Sequence, residues 1–237
     1  MKDRIIVALD LPDAERALEV ARALKGQVEW VKVGITLFDG AGPTIVRELR
    51  SLGLKVFVDL KLHDIPHQVD GACRVLTRVG ADMLTVHAGG GRAMLEAAVK
   101  ATSEAAAKFQ APKPKVIAVT VLTSLDDAAL ASVGVRADAL SQALTLAGLA
   151  RAAGLQGVVC SPKEARAMRD VLGPEGLVVT PGVRPPGVDA GDQARVATPG
   201  EAIEAGASHV VVGRPITAAA DPLAAAKAIL EAMGGDR

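Results

Sequence analysis

Short runs rich in Val, Ile and Leu alternate along the chain with longer segments whose apolar residues recur every three or four positions. The runs are Ile5–Leu9, Trp30–Val33, Lys55–Asp59, Met83–His87, Val116–Val121, Gly157–Cys160, Leu177–Thr180 and His209–Val212. They are too short for core helices and lack strict alternation, as expected of parallel strands buried on both faces. The segments between them have helical spacing. Asp13–Leu24 opens on a Pro12-Asp13 start signal and aligns Ala14, Ala17, Leu18, Ala21 and Leu24 on one stripe. Pro43–Leu52, Val69–Val79, Gly91–Lys108, Ala139–Ala153, Lys163–Val171, Pro199–Ala205 and Pro222–Met233 read the same way. Eight strand–helix units predict a closed (β/α)8 barrel of the TIM type, with residues 1–237 as a single domain. An open doubly wound sheet is the competing arrangement. It would place a G-x-G-x-x-G turn after the first strand, where Asp10-Leu11-Pro12 stands instead.

Composition narrows the packing and the partners. Half of the residues are apolar, yet there is one Trp, three Phe and no Tyr. Ala, Val, Leu and Gly must therefore fill the core, which favours closely approaching helices over an aromatic-pinned sandwich. Twenty-seven basic residues balance 27 acidic ones, so no global field draws nucleic acid or an anionic membrane. Cys73 and Cys160 lie beside apolar runs and read as reduced, buried thiols, neither a metal site nor a disulfide framework. Met1-Lys2-Asp3-Arg4 leads into an apolar run too short for a signal peptide, and a cytoplasmic location is expected.

In a barrel of this kind, chemistry belongs at the C-terminal ends of the strands. Asp10, Lys32, Asp59, Lys61, His87, Thr120, Thr123 and Arg214 all fall there. Period-two geometry puts Asp59 and Lys61 on one side, opposite Leu60 and Leu62. If Val56 and Val58 face the helices, Asp59 and Lys61 project into the barrel mouth. There they are either a salt bridge closing the barrel or partners in catalysis. Lys32 lies among apolar neighbours on a central strand, either snorkelling or part of the same site. Asp10 is a site residue or a cap for the first helix, a task Asp13 could share. His63 and His87 invite a metal reading, but Lys32 and Lys61 nearby oppose a cation, so no metal is expected.

Thr180-Pro-Gly-Val-Arg184 follows strand seven and Val212-Gly-Arg-Pro-Ile216 follows strand eight. Loops at these places often bind phosphate through backbone N–H groups, and Arg184 and Arg214 can add charge-assisted contacts. Pro185 to Gln193 is polar and Gly-rich, suited either to a lid or to a plain surface loop.

These blocks together resemble the orotidine 5′-phosphate decarboxylase family. Asp59-Leu-Lys-Leu-His-Asp-Ile-Pro66 is similar to its signature. Val7-Ala-Leu-Asp10, Val31-Lys-Val-Gly34, Val119-Thr-Val-Leu-Thr-Ser124, Val159-Cys-Ser-Pro162 and the two arginine loops follow in the family's order. The resemblance implies decarboxylation of orotidine 5′-monophosphate to UMP without a cofactor, by a homodimer. It implies a Lys32–Asp59–Lys61–Asp64 charge network with Asp64 contributed across the interface and Lys61 protonating C6. Asp10 and Lys32 would hold the ribose, Thr123 would read the pyrimidine edge, and Arg184, Gln193, Gly213 and Arg214 would grip the phosphate.

The implied chemistry suits these residue types. Losing carbon dioxide from C6 leaves charge in the ring plane, where the pyrimidine π-system is a poor sink. Fixed positive charge must then come from the protein, and a lysine supplies both charge and proton. One departure stands out: the family usually continues Asn-Thr-Val after Ile-Pro, whereas this chain reads His67-Gln68-Val69. Either Gln68 replaces the threonine's ribose contact with a longer amide, or the loop shifts. The rival readings are a lyase acting on a keto-sugar phosphate, a sugar-phosphate isomerase or epimerase, and a non-catalytic nucleotide-binding barrel.

Overall fold

The computed structural model describes residues 1–184 and 197–234. Eight parallel strands close on themselves in sequence order. They are β1 (Ile5–Ala8), β2 (Trp30–Gly34), β3 (Lys55–Leu62), β4 (Met83–His87), β5 (Lys115–Val119), β6 (Gly157–Val159), β7 (Leu177–Thr180) and β8 (His209–Val212). The helices around them are α1 (Ala14–Leu24), α2 (Ile35–Ala41), α3 (Thr44–Ser51), α4 (Pro66–Val79), α5 (Gly91–Phe109), α6 (Asp127–Ser132), α7 (Ala139–Ala152), α8 (Ala165–Leu172), α9 (Pro199–Glu204), α10 (Arg214–Thr217) and α11 (Pro222–Gly234). The chain is thus a (β/α)8 barrel, and the open doubly wound alternative is excluded by the pairing of β1 with β8.

Strand residues divide strictly by parity. Ile6, Ala8, Trp30, Phe57, Met83, Ile117, Val179 and Val211 fill the barrel interior. Their neighbours Val7, Val31, Val56, Val58, Leu84, Val116, Val158, Val178 and Val210 point out into a second core shared with the helices. The helices meet that layer with small residues, such as Ala17 and Ala21 of α1, Ala98 and Ala101 of α5, and Ala143, Ala147 and Ala150 of α7. This explains how a chain nearly devoid of aromatics packs: the sheet supplies branched side chains and the helices approach on alanine. At the N-terminal end of the barrel, Trp30 meets His209 edge to face at 5.9 Å, and Lys55 Nζ lies 5.5 Å from the indole.

β3 departs from regularity where it matters for the site. Val58 pairs with Leu84 and Leu62 with Val86, so four steps along β3 match only two along β4. Lys61 absorbs the mismatch with φ of 51°, a left-handed conformation that costs a residue bearing a Cβ.

Candidate active site

The parity that points Val56 and Val58 outward turns Lys32 of β2 and Asp59 of β3 inward, onto the C-terminal mouth of the barrel. They stand above Ala8 and Phe57. Lys32 is 7 % exposed and Asp59 8 %. Lys32 Nζ donates to Asp10 Oδ1 at 2.8 Å and lies 3.4 Å from Asp59 Oδ2. The same Asp59 oxygen accepts from Lys61 Nζ at 2.9 Å. Carboxylates and ammonium groups therefore alternate along Asp10–Lys32–Asp59–Lys61. Burial pushes the Asp59 carboxyl up, but the neighbouring Lys32 and Lys61 charges and the Lys61 and Thr85 hydrogen bonds outweigh it, holding the group below its ordinary range. Asp59 is therefore an anion at neutral pH.

Asp10 does not cap α1. That cap is Asp13, whose Oδ1 accepts from the Arg16 amide at 3.1 Å. Gly34, at the end of β2, leaves the Asp10–Lys32 pair its space: a Cβ there would overlap Asp10 Oδ1 and lie 2.9 Å from Lys32 Nζ.

A cavity of about 480 Å³ opens over this array, lined also by Thr123, Val159, Pro181, Gly182, Arg184, Gly213 and Arg214. Arg184 and Arg214 come from the loops after β7 and β8. Arg184 is anchored by its backbone amide on Ala197 O at 3.0 Å and by its Nη1 on Val183 O at 2.9 Å. Two lysines, two arginines and two aspartates line the cavity, a surplus of cations that suits an anionic ligand.

Asp10, Lys32, Asp59, Lys61, Thr123, Arg184, Gly213 and Arg214 are thus gathered as the sequence predicts. Asp64 and Gln68 are not: both are exposed outside the cavity of their own chain, and Asp64 Oδ1 accepts from the Ile65 amide at 2.6 Å. Gln193, with the whole Gly-rich segment from Pro185, lies outside the described residues. Among the described residues no three His, Cys, Asp or Glu side chains converge as metal ligands. His63 and His87 instead stack ring on ring at 5.1 Å. Two contributors escaped the sequence reading. Gly34 enters the sequence pattern only as part of the block Val31-Lys-Val-Gly34, and nothing there singles out Thr85. Only the spatial register shows that Thr85 Oγ1 meets Asp59 Oδ1, at 2.9 Å.

The chain shares this architecture with proteins of known name. It is 55 % identical over 229 residues to an orotidine 5′-phosphate decarboxylase of Moorella thermoacetica, covering 96 % of this chain and 91 % of that one. A second of that name, from Anaeromyxobacter sp., is 51 % identical over 96 % of both chains. Among solved structures, the orotidine 5′-phosphate decarboxylase of Lactobacillus acidophilus superposes with a TM-score of 0.86 at 40 % identity, covering 98 % of this chain and 100 % of that one. The Pyrococcus horikoshii OT3 decarboxylase follows at 0.78 and 28 % identity, over 98 % and 100 %. The family model matches residues 3–229, and the chain belongs to the Orotidine 5'-phosphate decarboxylase / HUMPS family.

Proposed function

We propose that this protein decarboxylates orotidine 5′-monophosphate to UMP and carbon dioxide, in the cytoplasm, as a step of pyrimidine biosynthesis. The observation that carries the reading is the Asp10–Lys32–Asp59–Lys61 array in a cavity that Arg184 and Arg214 also line. Loops after the seventh and eighth strands are the usual phosphate cradle of such barrels, so the 5′-phosphate belongs with Arg184, Gly213 and Arg214. Gln193, outside the described residues, is assigned to the same phosphate by the resemblance. The ribose hydroxyls then reach Asp10 and Lys32, and the pyrimidine edge reaches Thr123.

That pose brings C6 and its carboxylate to Asp59 and Lys61. The bond from C6 to the carboxylate breaks and its electron pair stays on C6 in the ring plane. Lys61 Nζ gives C6 a proton, carbon dioxide leaves, and water reprotonates the lysine. The ammonium is already oriented by Asp59 before substrate arrives, so the stabilising charge needs no rearrangement during the reaction. Asp59, held ionised beside the substrate carboxylate, raises the energy of the bound acid relative to the neutral product. Phosphate binding remote from C6 offsets that repulsion.

The active unit in this reading is a homodimer. Residues 63–68 are exposed, Ile65 is 62 % and Ile35 51 % exposed, and both belong to the rim that carries the cavity. Packing this rim against a second copy would bury those apolar groups. Asp64 would then extend the partner's charge array, and Gln68 would take up its ribose contact.

The test is turnover of orotidine 5′-monophosphate by the purified protein with excess EDTA, with UMP and carbon dioxide quantified together. Equimolar products are expected. Tight UMP binding without turnover would assign the chain to the nucleotide-binding barrels instead.

A further inference from the structure

Thr85 is fully buried on β4, beside the irregular stretch of β3. Its hydroxyl is used in both directions. Oγ1 accepts from the backbone amide of Lys61 at 2.9 Å and donates to Asp59 Oδ1 at 2.9 Å. The other Asp59 oxygen holds Lys61 Nζ, also at 2.9 Å. Lys61 is therefore bound at both ends through one closed circuit, from its amide to Thr85, to Asp59 and back to its ammonium. The circuit forms where Lys61 adopts a left-handed backbone, a conformation that persists only when its surroundings fix it. β-Branching stiffens the Thr85 side chain, and the barrel strand beneath it is rigid.

We propose that Thr85 is a positioning residue for Lys61, holding the strained backbone and the Asp59 carboxylate in the one arrangement that aims the ammonium at C6. This rests on the reading of Lys61 as proton donor. A valine has the shape of threonine but can make neither hydrogen bond, whereas a serine can make both.

The test is steady-state kinetics with orotidine 5′-monophosphate on the parent, Thr85→Val, Thr85→Ala, Thr85→Ser and Lys61→Ala, each shown to be folded by circular dichroism. The alanine variant serves if valine crowds the site. Loss of the hydroxyl is expected to lower kcat about 100-fold, the scale of a misplaced catalytic group, while KM stays within about threefold. The acidic limb of kcat/KM should move to higher pH, because Asp59 loses a donor that favours its charged form. Thr85→Ser should restore parental values. Parental kcat in the valine and alanine variants, or an equal loss in Thr85→Ser, overturns the proposal while leaving the role of Lys61 intact. Parental turnover by Lys61→Ala overturns the role of Lys61, and the positioning role with it.

Discussion

Lys32 shows how much of the site is decided by single residues. Its stem crosses the apolar barrel lining and its ammonium ends between Asp10 and Asp59, at 2.8 and 3.4 Å. Either carboxylate alone would leave a nearly buried charge poorly compensated, so the three groups stand or fall together. Gly34 secures the geometry by having no side chain. Gly34→Ala should push Asp10 off Lys32 and lower kcat/KM about 10- to 100-fold, as steady-state kinetics would read; a parental kcat/KM would contradict that role. Lys32, Asp59 and Lys61 were legible because cations and carboxylates are out of place in apolar strands. Thr85 and Gly34 were not, because a threonine in a strand and a glycine at its end are what any sheet uses.

The elements themselves follow the hydrophobic pattern where they are long. All eight strands and the helices from α1 through α11 that carry a full apolar stripe fall where periodicity puts them. Misjudged boundaries have local causes. α4 begins at Pro66 rather than Val69, since proline suits the first helical position and Ile65 takes the cap. β5 runs Lys115–Val119 rather than to Val121, the chain turning into the loop that carries Thr123. The short helices α2, α6 and α10 are not marked by the hydrophobic pattern. β3 extends to Leu62, beyond the predicted Asp59. Period-two reasoning placed Asp59 and Lys61 together, which holds, but it could not foresee the two-residue slip against β4 or the left-handed Lys61. Those depend on the neighbouring strand, not on the β3 sequence.

At the scale of the whole molecule, the two barrel ends have separate tasks. The C-terminal mouth gathers the charged array, whereas Trp30, Lys55 and His209 meet at the N-terminal end. Burial, reinforced by the nearby Arg4 charge, lowers His209 to about 4. An unfolded chain would protonate this histidine near its ordinary pKa of about 6.5. Stability is therefore full above that pH and falls as pH drops toward about 4, by on the order of 3 kcal/mol from this residue. His87, also lowered by burial and by the His63 and Lys61 charges, acts in the same direction. Melting temperatures recorded from about pH 7.5 to 4.5 should decline in the parent and decline less in His209→Gln; equal slopes would remove His209 from the account.

The central claim is that Lys61 delivers the proton that replaces carbon dioxide. The most direct measurement is kcat for orotidine 5′-monophosphate by Lys61→Ala beside the parent, with UMP affinity measured on both by calorimetry. The array predicts that kcat falls about 10⁴-fold, because charge and proton are lost together, while UMP still binds within about tenfold of the parent. Lys61→Ala decarboxylating at the parental rate would contradict it.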